Sequence, residues 1–203
     1  MSAPLRAIGR LHPKTSALFV CDVQERFRSH IHAVDSLIST AQKMIGASNI
    51  LSIPIYVTEQ YPQRLGGTFK ELDITTAEKV LPKTRFSMLL PEIQESLQTK
   101  EIRSVVLLGI ESHVCVMQTA LDLLENNYDV HVVADGVSSM NYPEIQVALE
   151  RMKQSGAFVA TSESILFQLT GDAKAPNFKA VSNLVKDFQT ASKENKLLFK
   201  SSV

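Results

Sequence analysis

Short apolar runs of strand length recur along this chain, and all but one neighbouring pair are separated by an amphipathic segment of helical length. That alternation constrains the fold more than any other feature. The runs occupy residues 16–22, ending on Asp22, then 54–59, 79–81, 104–109, 129–134 and 157–160. Residues 34–51 place Leu37, Ile38, Ala41, Met44, Ile45 and Ile50 close to helical spacing. Residues 91–97, 114–126, 143–155, 162–169 and 177–188 read as further helices, with Pro91 in a first turn and Gly156 closing the helix before it. Strands separated by helices need crossover connections, and crossovers produce a mainly parallel sheet covered on both faces. The pattern therefore predicts a three-layer α/β fold with six strands. In open sheets of this kind ligands sit beyond the carboxyl ends of the strands, where strand order reverses. The residues placed there are Asp22, Glu59, Lys83, the turn from Glu111 to Cys115, and Asp135.

At 203 residues the chain is expected to form one domain, with its core at about residues 15–190 and a loose polar tail from Thr190 onward. The 44% apolar content suits a folded chain rather than a disordered one. Twenty-one basic residues balance twenty-one acidic ones, which removes the usual electrostatic footprint of a nucleic-acid binder. No run approaches the roughly 20 apolar residues of a membrane helix. Cys21 and Cys115 are the only cysteines, so a disulfide scaffold and an all-cysteine zinc site are excluded. A reducing, cytoplasmic setting is the expectation. The acid-free N-terminus with Arg6, Arg10 and Lys14 has a faint transit-peptide character, and Ser201-Ser202-Val203 is not a peroxisomal signal.

Cys115 follows the most apolar strand and opens a predicted helix. There the helix dipole favours a thiolate, and free N–H groups could hold an oxyanion. A buried cysteine packing as a small apolar residue is the alternative. Cys21 lies inside the first strand. It is expected to point to the opposite face of the sheet from Asp22, away from the site, and to be unreactive. No histidine is an evident base for Cys115, since His113 is only two residues away and His131 lies in a strand. Asp22 ends a buried strand, where an acid is costly unless it is paired or functional. Lys83, following Pro82, could support Asp22 and developing negative charge.

Asp22 in Phe19-Val-Cys-Asp-Val-Gln24, Lys83 in Pro-Lys-Thr-Arg-Phe-Ser87 and Cys115 in Gly-Ile-Glu-Ser-His-Val-Cys-Val116 resemble the isochorismatase-like cysteine hydrolase superfamily. Arg151-Met-Lys-Gln-Ser-Gly-Ala157 is similar as well, and the resemblance covers roughly residues 15–170. Residues 58–66, Thr-Glu-Gln-Tyr-Pro-Gln-Arg-Leu-Gly, bring it nearest to the isochorismatase domain-containing proteins. The resemblance implies a Rossmann-like sheet of order 3-2-1-4-5-6 and an Asp22–Lys83–Cys115 triad. In it the cysteine attacks a carbonyl carbon, the aspartate shuttles the proton and the lysine supports charge. It also implies a cis peptide between Ile110 and Glu111, aiming the N–H groups of Glu111 and Cys115 into an oxyanion hole.

Two departures narrow this reading. Nicotinamidases of the family carry an Asp/His metal cluster after the second strand, whereas residues 59–67 here contain neither, so no metal and no cofactor are expected. True isochorismatases lack the cysteine, so Cys115 argues against vinyl-ether hydrolysis. The expected activity is metal-independent hydrolysis of a small amide or related C–N bond through a thioester-type intermediate. Gln24, Phe27, Glu59, Tyr61, Phe86 and His113 are candidate pocket residues, with ordinary core packing the alternative for the aromatic ones. The rival function is a catalytically weak protein of the same fold acting as an interaction or regulatory partner. A small-molecule substrate, no nucleic acid, no membrane and a homo-oligomer (dimer or tetramer) complete the expectations.

Overall fold

The computed structural model describes residues 8 to 198, so Arg6 of the basic leader-like stretch and Ser201-Ser202-Val203 lie outside the described residues. Strand β1 (Ser16–Cys21) is buried at every position and precedes helix α1 (Val34–Leu51). Strand β2 (Ile55–Gln60), the single turn α2 (Pro62–Leu65) and strand β3 (Lys79–Lys83) follow. Helix α3 (Pro91–Thr99) leads to β4 (Ser104–Ile110), a π-helical turn (Ser112–Val116) and α4 (Met117–Glu125). Next come β5 (Asp129–Ser138), α5 (Tyr142–Gln154) and β6 (Phe158–Ala160). Helices α6 (Ser162–Thr170), α7 (Phe178–Asp187) and α8 (Gln189–Lys193) complete the described chain. No helix among the described residues is long and apolar enough to cross a membrane.

The six strands form one parallel sheet in the order β3-β2-β1-β4-β5-β6, the order the resemblance implied. Side chains alternate across it with the two-residue period of a strand. Leu18 and Val20 face a layer built from Leu37, Ala41 and Met44 of α1, Leu166 of α6 and Val181 of α7. Ala17, Phe19 and Cys21 face the opposite layer, with Ile93 of α3, Leu123 of α4 and Met152 of α5. Each fully buried side chain of this size contributes about 2 kcal/mol, and that burial welds the three layers together. Local signals agree with the boundaries. α3 and α5 begin with proline in the first turn, and Thr161 caps α6 by accepting from Ser164 N–H.

Three expectations change. β5 runs past Ala134 to Ser138, with a register shift between Leu107 and Gly109 in its partner. Asp135 therefore lies within the strand, and its carboxylate accepts from Ser162 N–H at 2.6 Å and from the Ser162 hydroxyl, fastening the start of α6. The tail is not loose as far as it is described. Asn195 is buried and donates to the Asp135 carbonyl at 3.0 Å and to Thr40 Oγ1 at 3.2 Å, while Ser192 Oγ accepts from the buried Lys43 at 2.9 Å. Hydrogen bonds to buried polar groups hold it, which apolar periodicity does not register.

β1 and β4 are adjacent, yet the chain leaves them toward opposite edges of the sheet, so the order reverses between their carboxyl ends.

Candidate active site

Asp22, Tyr61 and Glu111 immediately follow β1, β2 and β4, and all three adopt left-handed backbone with φ of 53°, 39° and 56°. For residues with a Cβ this costs on the order of 1 kcal/mol each, and such strain concentrates where a fold must aim side chains at one point. At Glu111 the left-handed turn redirects the chain with an ordinary trans peptide. The expected cis bond between Ile110 and Glu111 is corrected, because no cis peptide occurs among the described residues.

Asp22 is 1% exposed, and both carboxylate oxygens are engaged. Oδ1 accepts from Thr58 Oγ1 at 2.8 Å and Oδ2 from Lys83 Nζ at 2.6 Å. Lys83, the last residue of β3, also donates to Gln60 Oε1 at 2.6 Å and to the carbonyls of Phe86 at 2.7 Å and Arg85 at 3.1 Å. A buried ammonium needs that many acceptors to offset its lost hydration. Thr58 and Gln60 were not singled out from sequence. A threonine in an otherwise apolar strand and a glutamine two residues further were the signals available.

Cys115 is 6% exposed and lies inside the π-helical turn ahead of α4 rather than at the first residue of an α-helix. Such turns recur at functional sites. The Glu111 carbonyl accepts from Val114 N–H at 2.9 Å and Val116 N–H at 3.2 Å, wrapping the turn over the end of β4. Thr119 Oγ1 donates to the Cys115 carbonyl at 2.6 Å and accepts from Met88 N–H at 2.9 Å, which ties the turn to the segment before α3.

Cys21 overturns the expectation that it points away from the site. Its sulfur lies 3.6 Å from Asp22 Oδ2, and Cys115 belongs to the same buried layer, near enough to act on its thiol. Strand alternation does turn Cys21 toward the layer of α3, α4 and α5, but Cys115 enters from that same layer, and Asp22 leaves the alternation through its left-handed turn. Burial, then the neighbouring Cys115 thiol and the Asp22 charge, push the Cys21 thiol well above the ordinary thiol range, with Lys83 opposing. Among the described residues Cys115 makes no hydrogen bond to Asp22 itself; Cys21 stands beside both. Gly109, in register with Cys21, permits this crowding, since a Cβ there would meet Cys21 O at 2.2 Å.

The other candidates separate by role. Gln24 is fully buried and fastens backbone, donating to the carbonyls of Gln60 at 3.0 Å and Gly66 at 2.7 Å and accepting from Gln60 N–H at 2.7 Å. Glu59 Oε1 accepts from Thr68 N–H at 2.7 Å and from its hydroxyl at 2.9 Å. Phe27 packs against the core layer of α1. Tyr61 and Phe86 are exposed, at 41% and 49% respectively. Tyr61 borders a cleft of about 580 Å³ beside Lys83, Arg85, Leu90 and Glu92. His113 Nδ1 lies 3.1 Å from Ser139 Oγ and 3.4 Å from Glu111 Oε2, whose Oε1 accepts from Met140 N–H. Ser112 Oγ is buried in the same turn, with no partner among the described residues. No cluster of three His, Cys, Asp or Glu side chains suited to a metal occurs among the described residues.

Fold and site together define a doubly wound α/β protein with a buried Asp–Lys pair and a thiol at its topological switch point. The isochorismatase domain model matches residues 16–164, and the chain belongs to the isochorismatase family. It is 50% identical over 182 residues to isochorismatase domain-containing protein 2 of Xenopus laevis, covering 89% of this chain and 88% of that one. It is 49% identical over 180 residues to isochorismatase domain-containing protein 1 of Salmo salar, covering 88% of this chain but 64% of that protein's length. The solved structure of the MAR1 ribonuclease from Caenorhabditis elegans superposes with a TM-score of 0.84 at 45% identity, over 87% of this chain and 92% of that one. The YcaC product of Escherichia coli, described as an octameric hydrolase of unknown specificity, shares the fold at 20% identity with a TM-score of 0.79.

Proposed function

We propose that this protein hydrolyses a small amide or related C–N bond by covalent catalysis at Cys115, without a metal or other cofactor. The observation that carries the reading is the buried Asp22–Lys83 pair at the reversal point of the sheet, with Cys21 beside Asp22 and the Cys115 thiol in the same buried layer as Cys21. Cys115 Sγ attacks the carbonyl carbon, and its proton passes toward Asp22, whose charge Lys83 balances. The N–H groups of Glu111 and Cys115 are assigned to the developing oxyanion. As the C–N bond breaks, the amine leaves with the transferred proton. Water then opens the thioester, returning a proton to Cys115 and releasing the acid. Asp22 thus relays a proton in each half of the cycle, first from the thiol to the amine and then from water to the thiolate.

The name of the Caenorhabditis elegans relative makes RNA the second substrate class. Small molecules are favoured here because the formal charge is zero and Arg85, the guanidinium beside the cleft, is paired with Asp122 at 2.8 Å. A single domain and a reducing cytoplasmic setting, consistent with two free thiols, belong to the same proposal. So does a homo-oligomer, supported by exposed Met140, Tyr142 and Val147 near the start of α5. The deciding experiment is a small-amide screen run beside an RNA-degradation assay, each with Cys115→Ala as control. Amide turnover that the variant loses supports the reading. RNA cleavage alone, or amide turnover that survives in Cys115→Ala, defeats it.

A further inference from the structure

The hydrolytic cycle gives the Cys21 thiol no covalent task, yet the fold places it against the two groups that matter most. It is fully buried, its sulfur sits 3.6 Å from Asp22 Oδ2, and Cys115 is among the neighbouring side chains that act on its thiol. Both sulfurs belong to one apolar cluster between the sheet and α4. β1 carries Cys21 at its last position, and Gly109 removes the side chain that would otherwise separate it from β4.

We propose that Cys21 and Cys115 form a hydroperoxide-responsive dithiol, in which Cys115 is oxidised first and Cys21 resolves it into a reversible disulfide. This rests on reading Cys115 as a nucleophilic thiol, but not on any particular substrate. In the first step the Cys115 sulfur attacks one oxygen of hydrogen peroxide. An S–O bond forms, the O–O bond breaks, and hydroxide leaves, taking up the Cys115 thiol proton as water. In the second step the Cys21 sulfur attacks the sulfenic sulfur, its proton passing to Asp22. The S–S bond forms as the S–O bond breaks, and the departing hydroxide takes that proton from Asp22 as a second water. Two thiols lose two electrons in total, and peroxide gains them. The Asp22 carboxylate is the built feature here: it accepts the proton of a thiol that burial otherwise keeps from ionising. Closure removes the nucleophile, so oxidation switches the site off, and a dithiol reductant restores it.

The test treats the full-length reduced protein with equimolar hydrogen peroxide, blocks remaining thiols under denaturing conditions and measures intact mass. The expected result is a loss of two hydrogens, with peptides 15–26 and 104–151 joined after trypsin and separated again by dithiothreitol. Cys21→Ser and Cys21→Ala should instead leave a sulfenic acid on Cys115 that dimedone traps. Cys115 taking up two or three oxygens while Cys21 stays alkylatable, or both thiols surviving peroxide, overturns the proposal in the wild-type protein alone. A failed amide screen on reduced protein would sink the hydrolase reading without touching this result. Amide turnover in a protein that forms no disulfide would do the reverse.

Discussion

Lys83 Nζ donates to Asp22 Oδ2 across 2.6 Å, and the two side chains are 0% and 2% exposed. This pair joins the end of β3 to the residue after β1, so it fastens the sheet as well as charging the site. Removing one partner of such a pair strands the other charge in a dry interior. Lys83→Met should lower unfolding free energy by roughly 3–5 kcal/mol, and Asp22→Asn by a comparable amount. The double variant should lose distinctly less than the sum. Urea denaturation of all four proteins gives the coupling, and strict additivity would refute the electrostatic account.

The two thiols should differ in rate under mild alkylation of the reduced protein. Cys115 is slightly exposed, whereas Cys21 is fully buried and its thiol is held above the ordinary range. Iodoacetamide should therefore modify Cys115 at least roughly tenfold faster, with Cys21 reacting mainly after unfolding. Peptide mass spectrometry with time resolves the two. Equal rates would remove the distinction on which the nucleophile assignment depends.

His131 supplies a pH-dependent term far from the site. It lies in β5, its Nε2 has no partner among the described residues, and its ring stacks on Phe158 with centroids 5.0 Å apart. Burial lowers its pKa from 6.5 to about 4. Below 6.5 the unfolded chain takes up a proton that the native state refuses until about pH 4, so this term weakens the fold as pH falls through that window. The loss amounts to about 3 kcal/mol at most. His131→Phe should flatten the stability profile between pH 7 and 4 relative to wild type. An unchanged slope would show that the ring is hydrated in solution.

Gln24 should prove architectural. Its three hydrogen bonds hold the end of β2 and Gly66 together, so Gln24→Ala should cost about 2–3 kcal/mol. Trypsin should then cut more readily at the neighbouring Arg64. A variant with wild-type stability and altered catalysis alone would instead place Gln24 among the substrate contacts.

Chelation should leave amide turnover intact, because residues 59–67 carry neither His nor Asp. Activity lost in EDTA and restored by zinc would overturn the metal-independent mechanism.

The sequence by itself determined the layer architecture. Runs such as residues 16–21 and 104–110 are apolar on both strand faces, which only a sheet covered on both sides accommodates, and the helices between them require parallel crossovers. It also singled out Asp22 and Cys115, because a charge at the end of a buried strand and a thiol after the most apolar one are locally conspicuous, whereas Lys83, read alone, resembled a surface lysine and was drawn into the site by the family resemblance. Tertiary structure decided what those residues touch. Thr58 and Gln60 became partners of Asp22 and Lys83 only when β2 was inserted between β1 and β3, and Gln24 became a backbone clamp for the same reason. Cys21 was misjudged because strand periodicity names a face without saying what descends onto it. The π-helical turn brings Cys115 to that face, and an adjacency between residues so far apart in sequence exists only in the packed chain.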